Sequence, residues 1–148
     1  MGMEARPVPA PVLSAEERSL YEKGVGEFNA RLFFECHDTL EELWAGVRGP
    51  SRDFFQGLIQ VAVGFHHIGN RNRVGAERLL GRALKRLESY PDDYAGLALG
   101  ELRDAVAGWR RALDPQAPVN LSGRTPPHLS LAPASAATSP ATVAGGRS

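Results

Sequence analysis

His37 and Glu41 stand four residues apart in the stretch Phe33-Phe34-Glu35-Cys36-His37-Asp38-Thr39-Leu40-Glu41-Glu42-Leu43-Trp44. On a helix that spacing puts an imidazole and a carboxylate on one face. Trp44 flanks them, and Gln56, Gln60, His66 and His67 follow on the next apolar segment. Three kinds of chemistry fit. The residues can hydrogen-bond one another and fix helix register, since buried polar groups are paired whatever else they do. His37, Glu41 and His67 can ligate a divalent metal, a three-ligand set of the catalytic type. A Glu beside a His in apolar surroundings is also a setting for general acid–base work. No His-Glu-x-x-His and no second Glu-x-x-His supports the metal, and Cys36 lies on an apolar stripe rather than beside a base.

A second set is cationic. Arg71, Arg78, Arg82 and Lys85 fall within about 60° of one another on one helix face. Such a face is either the solvated side of an amphipathic helix or a contact for phosphates, RNA or an acidic partner. The 148 residues carry 17 Lys+Arg and 17 Asp+Glu, and this zero net charge argues against a protein held on nucleic acid by bulk charge.

These residues need helices to position them. Ser14-Ala15-Glu16-Glu17 reads as a capping box that opens a first helix to about Asn29, weakened at Gly24 and Gly26. A second helix is expected over Leu32–Val47, with Phe33, Cys36, Leu40, Leu43 and Val47 as its core stripe. Gly49-Pro50-Ser51 breaks the chain, with Ser51 as an N-cap. The third helix, Arg52–Asn70, is apolar nearly all round and so central. A fourth over Arg73–Ser89 and a fifth over Gly100–Leu113 follow, with Pro91 between them. The short connections from the second helix to the third and from the third to the fourth make those neighbours antiparallel. The pattern is all-α: one antiparallel bundle of about five helices over 14–114, preceded by a flexible segment, 1–13. Residues 115–148 are rich in Pro, Ala, Ser and Thr and read as a disordered tail.

The block Phe33 to Trp44 resembles the bacterial and archaeal family catalogued as domain of unknown function 309. Phe55-Gln56-Gly57-Leu58-Ile59-Gln60, His66-His67, Gly69-Asn70 and Gly75-Ala76 continue the likeness, which runs from about Tyr21 to Leu113. Asp38 departs from it, because the family usually has Glu directly after the His. The resemblance implies a small all-helical cytosolic domain and no particular activity. It marks the positions already chosen: His37, Glu41, Glu42, Trp44, Gln56, Gln60, His66 and His67. The third and fourth helices also resemble one tetratricopeptide hairpin, and a solenoid needs about three.

The expectation is therefore a non-enzymatic binding or structural module with a polar cluster between the second and third helices. One alternative is a metal-dependent hydrolase using His37, Glu41 and a third-helix His. The other is an RNA or phosphate binder working through the basic face. No cofactor beyond a divalent metal is implied. No apolar run is long enough to span a membrane, and the single Cys36 gives no disulfide framework. The expected location is cytoplasmic, and a homo-oligomer is compatible with the chain.

Overall fold

The computed structural model describes residues 8–114, 116, 121 and 123–133. The capping box forms as the sequence predicts: Ser14 Oγ accepts from Glu17 N–H, and Glu17 Oε1 accepts from Ser14 N–H, both at 3.0 Å. The helices are α1 (Ala15–Asn29), α2 (Phe33–Gly46), α3 (Ser51–Gly69), α4 (Arg73–Leu87) and α5 (Leu99–Ala112), with a short 3-10 turn at Tyr94–Gly96. Among the described residues, β-pairing is limited to an isolated antiparallel bridge between Leu97 and Leu131.

Two boundaries differ from the sequence reading for physical reasons. Ser51 is the first residue of α3 rather than its cap, because Gly49 turns the chain at φ 82° and Pro50 already has helical angles. α4 ends at Leu87 rather than Ser89. Arg103 donates to Leu87 O at 3.0 Å and Tyr90 O at 2.8 Å, occupying carbonyls at the helix end. Pro91 then offers no N–H to continue the ladder.

α3 lies at the centre. Ten of its 19 residues are buried, Phe54, Phe55, Leu58, Val61, Ala62 and Phe65 among them. α1 and α2 supply Tyr21, Phe28, Cys36, Leu40 and Leu43, and α4 and α5 supply Leu80, Leu87, Leu102, Val106 and Trp109. Edge-to-face aromatic contacts knit the layers: Tyr21 on Phe55 at 5.2 Å and Phe65 on Trp109 at 5.3 Å.

The hairpins α1–α2 and α3–α4 are built alike, with an offset of 40 residues from Arg31 to Arg71. Both turns hold that arginine at positive φ, 68° and 59°. In the first, Arg31 N–H bonds Phe28 O and Leu32 N–H bonds Glu27 O; in the second, Arg71 N–H bonds Ile68 O and Asn72 N–H bonds His67 O. This is the Schellman termination, with arginine where glycine is usual. The packing repeats too. A Cβ on Gly24 would lie 2.6 Å from Leu40 Cδ2, and one on Gly64 would lie 2.6 Å from Leu80 Cδ2. The sequence reading found one such hairpin; the structure has two.

Described residues of both terminal segments pack against the bundle. Residues 123–133, read as part of a disordered tail, lie against the bundle. Leu129 is buried, and its backbone pairs with the Asn29 side chain through Asn29 Nδ2 to Leu129 O at 2.9 Å and Leu129 N to Asn29 Oδ1 at 2.7 Å. Ala98 N donates to Ser130 O, and Ala132 N to Gly96 O. At the other end, Val8 and Leu13 are partly buried against the core, and Tyr94 donates to Pro9 O at 2.6 Å. The remainder of both expected segments, 1–7 and 134–148 included, lies outside the described residues.

Candidate functional site

α2 carries the imidazole–carboxylate group, and its composition differs from the expected one. His37 Nε2 lies 3.2 Å from Glu41 Oε2, the i, i+4 contact the spacing predicts. His37 Nδ1 lies 3.4 Å from Asp38 Oδ1, without hydrogen-bond geometry, so that buried nitrogen has no hydrogen-bond partner. The ligand-type atoms of His37, Asp38 and Glu41 all fall within 4.8 Å of one another. His67 does not join them. Its Nδ1 meets Asn72 Nδ2 at 3.3 Å, at the α3–α4 turn. The set His37, Glu41, His67 is therefore not formed; Asp38 takes the third place.

The polar residues of α3 also separate. Gln60 Oε1 accepts from Arg86 Nε at 3.1 Å, and Arg86 pairs with Asp53, so Gln60 belongs to the α3–α4 seam. Gln56 is half-buried and makes no hydrogen bond among the described residues; Glu42 is exposed and likewise unpaired. Trp44 is half-buried under Arg52, whose guanidinium carbon sits 3.7 Å from the ring centroid. Arg52 also donates to Trp44 O and Val47 O, both at 2.8 Å, and closes the end of α2. Trp44 Nε1 is buried without a partner. Among the described residues these groups are thus not gathered into one polar cluster: i, i+4 partners within a helix, Asn72 and Arg86 take up the groups whose faces periodicity gave.

His66 is placed differently. Its Nε2 meets Asn70 Nδ2 at 3.2 Å, and its ring lies 5.5 Å from Phe34, which on its other flank lies 5.6 Å from His37. Phe34 is 52% exposed. It stands at the edge of a cleft of about 620 Å³ at the end of the bundle where α1, α3 and α5 finish. The buried rings of Phe65 and Trp109 lie at its floor. Leu32, Phe33, Phe34, Ile68, Leu121 and Pro126 form the walls, and Arg31, His66 and Arg124 supply the basic groups, against one acid, Glu35. Arg124 stacks on Trp109 at 5.6 Å, and Trp109 Nε1 donates to Thr125 O at 3.1 Å. The sequence reading missed Arg31, Trp109 and Arg124 as site residues. Part of this cleft comes from the α1–α2 turn and from a segment that composition marks as tail.

A second cleft, about 580 Å³, lies between residues 8–13 and 91–96. Its basic group, Arg18, is already paired with Glu22 and donates to Ala132 O. The basic face of α4 is as expected: Arg78, Arg82 and Lys85 are exposed, as is Arg71 in the preceding turn. Burial pushes the Cys36 thiol up to about 12, with the Glu27 charge adding to the shift, so Cys36 is an inert core group.

Comparison with known proteins agrees with the resemblance read from the motifs. Residues 21–79 match the family model described as Domain of unknown function (DUF309). That span covers most of α1, all of α2 and α3, and the first half of α4. The chain is 38% identical over 65 residues to "Uncharacterized protein YpuF" of Bacillus subtilis, covering 43% of this chain and 37% of that protein. It is 27% identical over 90 residues to an "Uncharacterized protein" of Aquifex aeolicus, covering 60% of this chain and 27% of that protein. The matches span between about a quarter and two-fifths of these relatives, and they assign no activity. The described residues form a small all-helical bundle, and no helix among them is long and apolar enough to cross a membrane.

Proposed function

We propose that this chain is a non-catalytic binding module, located in the cytoplasm, that takes a small ligand with an apolar body and an anionic end into the Phe65–Trp109 cleft. One observation carries the reading: an aromatic-floored cleft of about 620 Å³ has Arg31, His66 and Arg124 around it. That volume falls within the roughly 300–1,000 Å³ of small-molecule sites, which are lined by apolar and aromatic groups with a few polar anchors. A guanidinium gives an anion a charge-assisted contact, and stacking on Trp109 holds Arg124 in place for it. Anilinonaphthalene sulfonate has this chemistry, and its fluorescence rises in apolar surroundings. Wild type should bind it saturably, and Arg124→Gln should weaken binding about tenfold, the effect of losing about 1.4 kcal/mol. Equal binding by both proteins would sink the reading.

A second reading has its own observation. The His37, Asp38 and Glu41 atoms within 4.8 Å could hold a divalent cation at the surface of α2. Both imidazole nitrogens face carboxylates, however, at 3.2 and 3.4 Å, and a metal can use only one of them. The arrangement suits a histidine held between two acids better than a ligand. Calorimetric titration with zinc decides between them: binding near one equivalent, lost in His37→Ala, favours the metal and with it the hydrolase alternative.

A further inference from the structure

We infer that this protein self-associates, the acidic face of α2 in one copy seating on the basic face of α4 in another. The 40-residue correspondence between the hairpins carries the inference. Phe34, Asp38 and Glu42 on α2 occupy the positions that Val74, Arg78 and Arg82 occupy on α4. Phe34 and Val74 are exposed by 52% and 55%, two of only four large apolar side chains exposed among the described residues. Beside them one helix shows exposed carboxylates and the other exposed cations.

The faces are unsatisfied within the chain. Among the described residues, Arg78, Arg82 and Lys85 make no ion pair, and Glu42 makes none. Asp38 meets only His37. Four other arginines do pair: Arg18 with Glu22, Arg86 with Asp53, Arg103 with Asp92 and Arg110 with Glu77. Two equivalent helix faces thus carry unpaired charges of opposite sign. Asp38 to Glu42 and Arg78 to Arg82 are each four residues, about 6 Å along a helix, so acids and bases meet at one pitch. The apolar residue beside each row supplies a contact that no phosphate backbone would use. A second copy therefore accounts for both faces, whereas RNA would account for one. Exposed ion pairs are individually weak and screened by salt, so the association is reversible and salt-sensitive.

Sedimentation of the full chain tests this, at about 0.05 M and about 0.5 M salt, on either side of the roughly 10 Å screening length at 0.1 M. Wild type should associate at low salt and weaken at least about tenfold at high salt. Arg78→Glu/Arg82→Glu has two acidic faces and Asp38→Arg/Glu42→Arg has two basic ones; each alone should be monomeric. Mixed one to one, they should associate again, because each swapped face then meets its complement. Circular dichroism checks that both variants are folded. If either is not, the neutral pair Arg78→Gln/Arg82→Gln and Asp38→Asn/Glu42→Gln should still each lose association. A monomeric wild type at low salt overturns the inference. So does a mixture that stays monomeric, or a wild type that stays monomeric yet binds single-stranded RNA through α4.

Discussion

Replacing Leu129 by alanine removes a side chain that is only 4% exposed from its seat in the core beside Asn29 of α1. A buried Leu→Ala change costs about 2–5 kcal/mol in a closed core. Here the ceiling is lower, because residues 123–133 can undock before the helices unfold, and no substitution in the segment can cost more than its docking free energy. Asn29→Ala removes the two hydrogen bonds to the Leu129 backbone, at 2.9 and 2.7 Å. At about 0.5–1.5 kcal/mol each, its cost is about 1–3 kcal/mol. Both substitutions release the same segment, so their effects should saturate: Asn29→Ala/Leu129→Ala should equal the larger single effect and match a chain ending at Asp114. Urea unfolding followed by circular dichroism measures all four. A shared loss of about 2 kcal/mol is expected, so the double variant should fall short of the sum of the single effects by about 2 kcal/mol. If truncation costs nothing and Leu129→Ala is neutral, the docked segment is not populated and the reasoning fails.

Other contacts of the fold have measurable consequences. Gly64→Ala should destabilise by up to about 2 kcal/mol, since its Cβ would meet Leu80 Cδ2 at 2.6 Å and overpacking outweighs the helix-propensity gain. Gly26→Ala, with nothing within 4 Å of its Cβ, should stabilise by about 0.4–1 kcal/mol; thermal melts giving both the same sign would refute the packing argument. Alkali should destabilise the fold. The buried Cys36 thiol holds its proton up to about 12 while the unfolded thiol loses it from about 8.5–9, so stability is complete below that range and falls as pH rises through it, by at most about 1.4 kcal/mol per unit. Burial also raises Tyr90 and Tyr94, which add to the loss only above about pH 10; Cys36→Ala should flatten the pH 9–10 part in urea titrations. His37→Ala should cost no more than about 1 kcal/mol, because the Glu41 and Asp38 carboxylates are exposed. A chelator should leave the melting temperature unchanged, and a drop that His37→Ala abolishes would establish the metal.

The helices were legible because the signals are local. Ser14 to Glu17 caps α1, the apolar stripe of α2 buries Cys36, Leu40, Leu43 and Val47, and an α3 apolar all round becomes the centre. The His37–Glu41 contact was legible for the same reason. What failed was the pairing of elements. Gln60 was read with His67, but its partner is Arg86, 26 residues on. Asp38 departs from the family pattern, yet it flanks His37. The repeat escaped notice because its marks, Arg31 with Arg71 and Gly24 with Gly64, lie in turns and seams rather than in a dense motif. Residues 123–133 escaped because backbone hydrogen bonds and one buried leucine hold them, and neither shows in composition.

Amide-resolved NMR during a titration with anilinonaphthalene sulfonate shows whether the Phe65–Trp109 cleft binds. Trp109 is a built-in reporter, since its indole N–H is fixed on Thr125 O at 3.1 Å. The account predicts that the Trp109 indole and the amides of Arg31, Phe34, His66 and Arg124 shift together and saturate with one affinity. Shifts centred instead on residues 8–13 and 94–96, or spread without saturation over the surface, would contradict it.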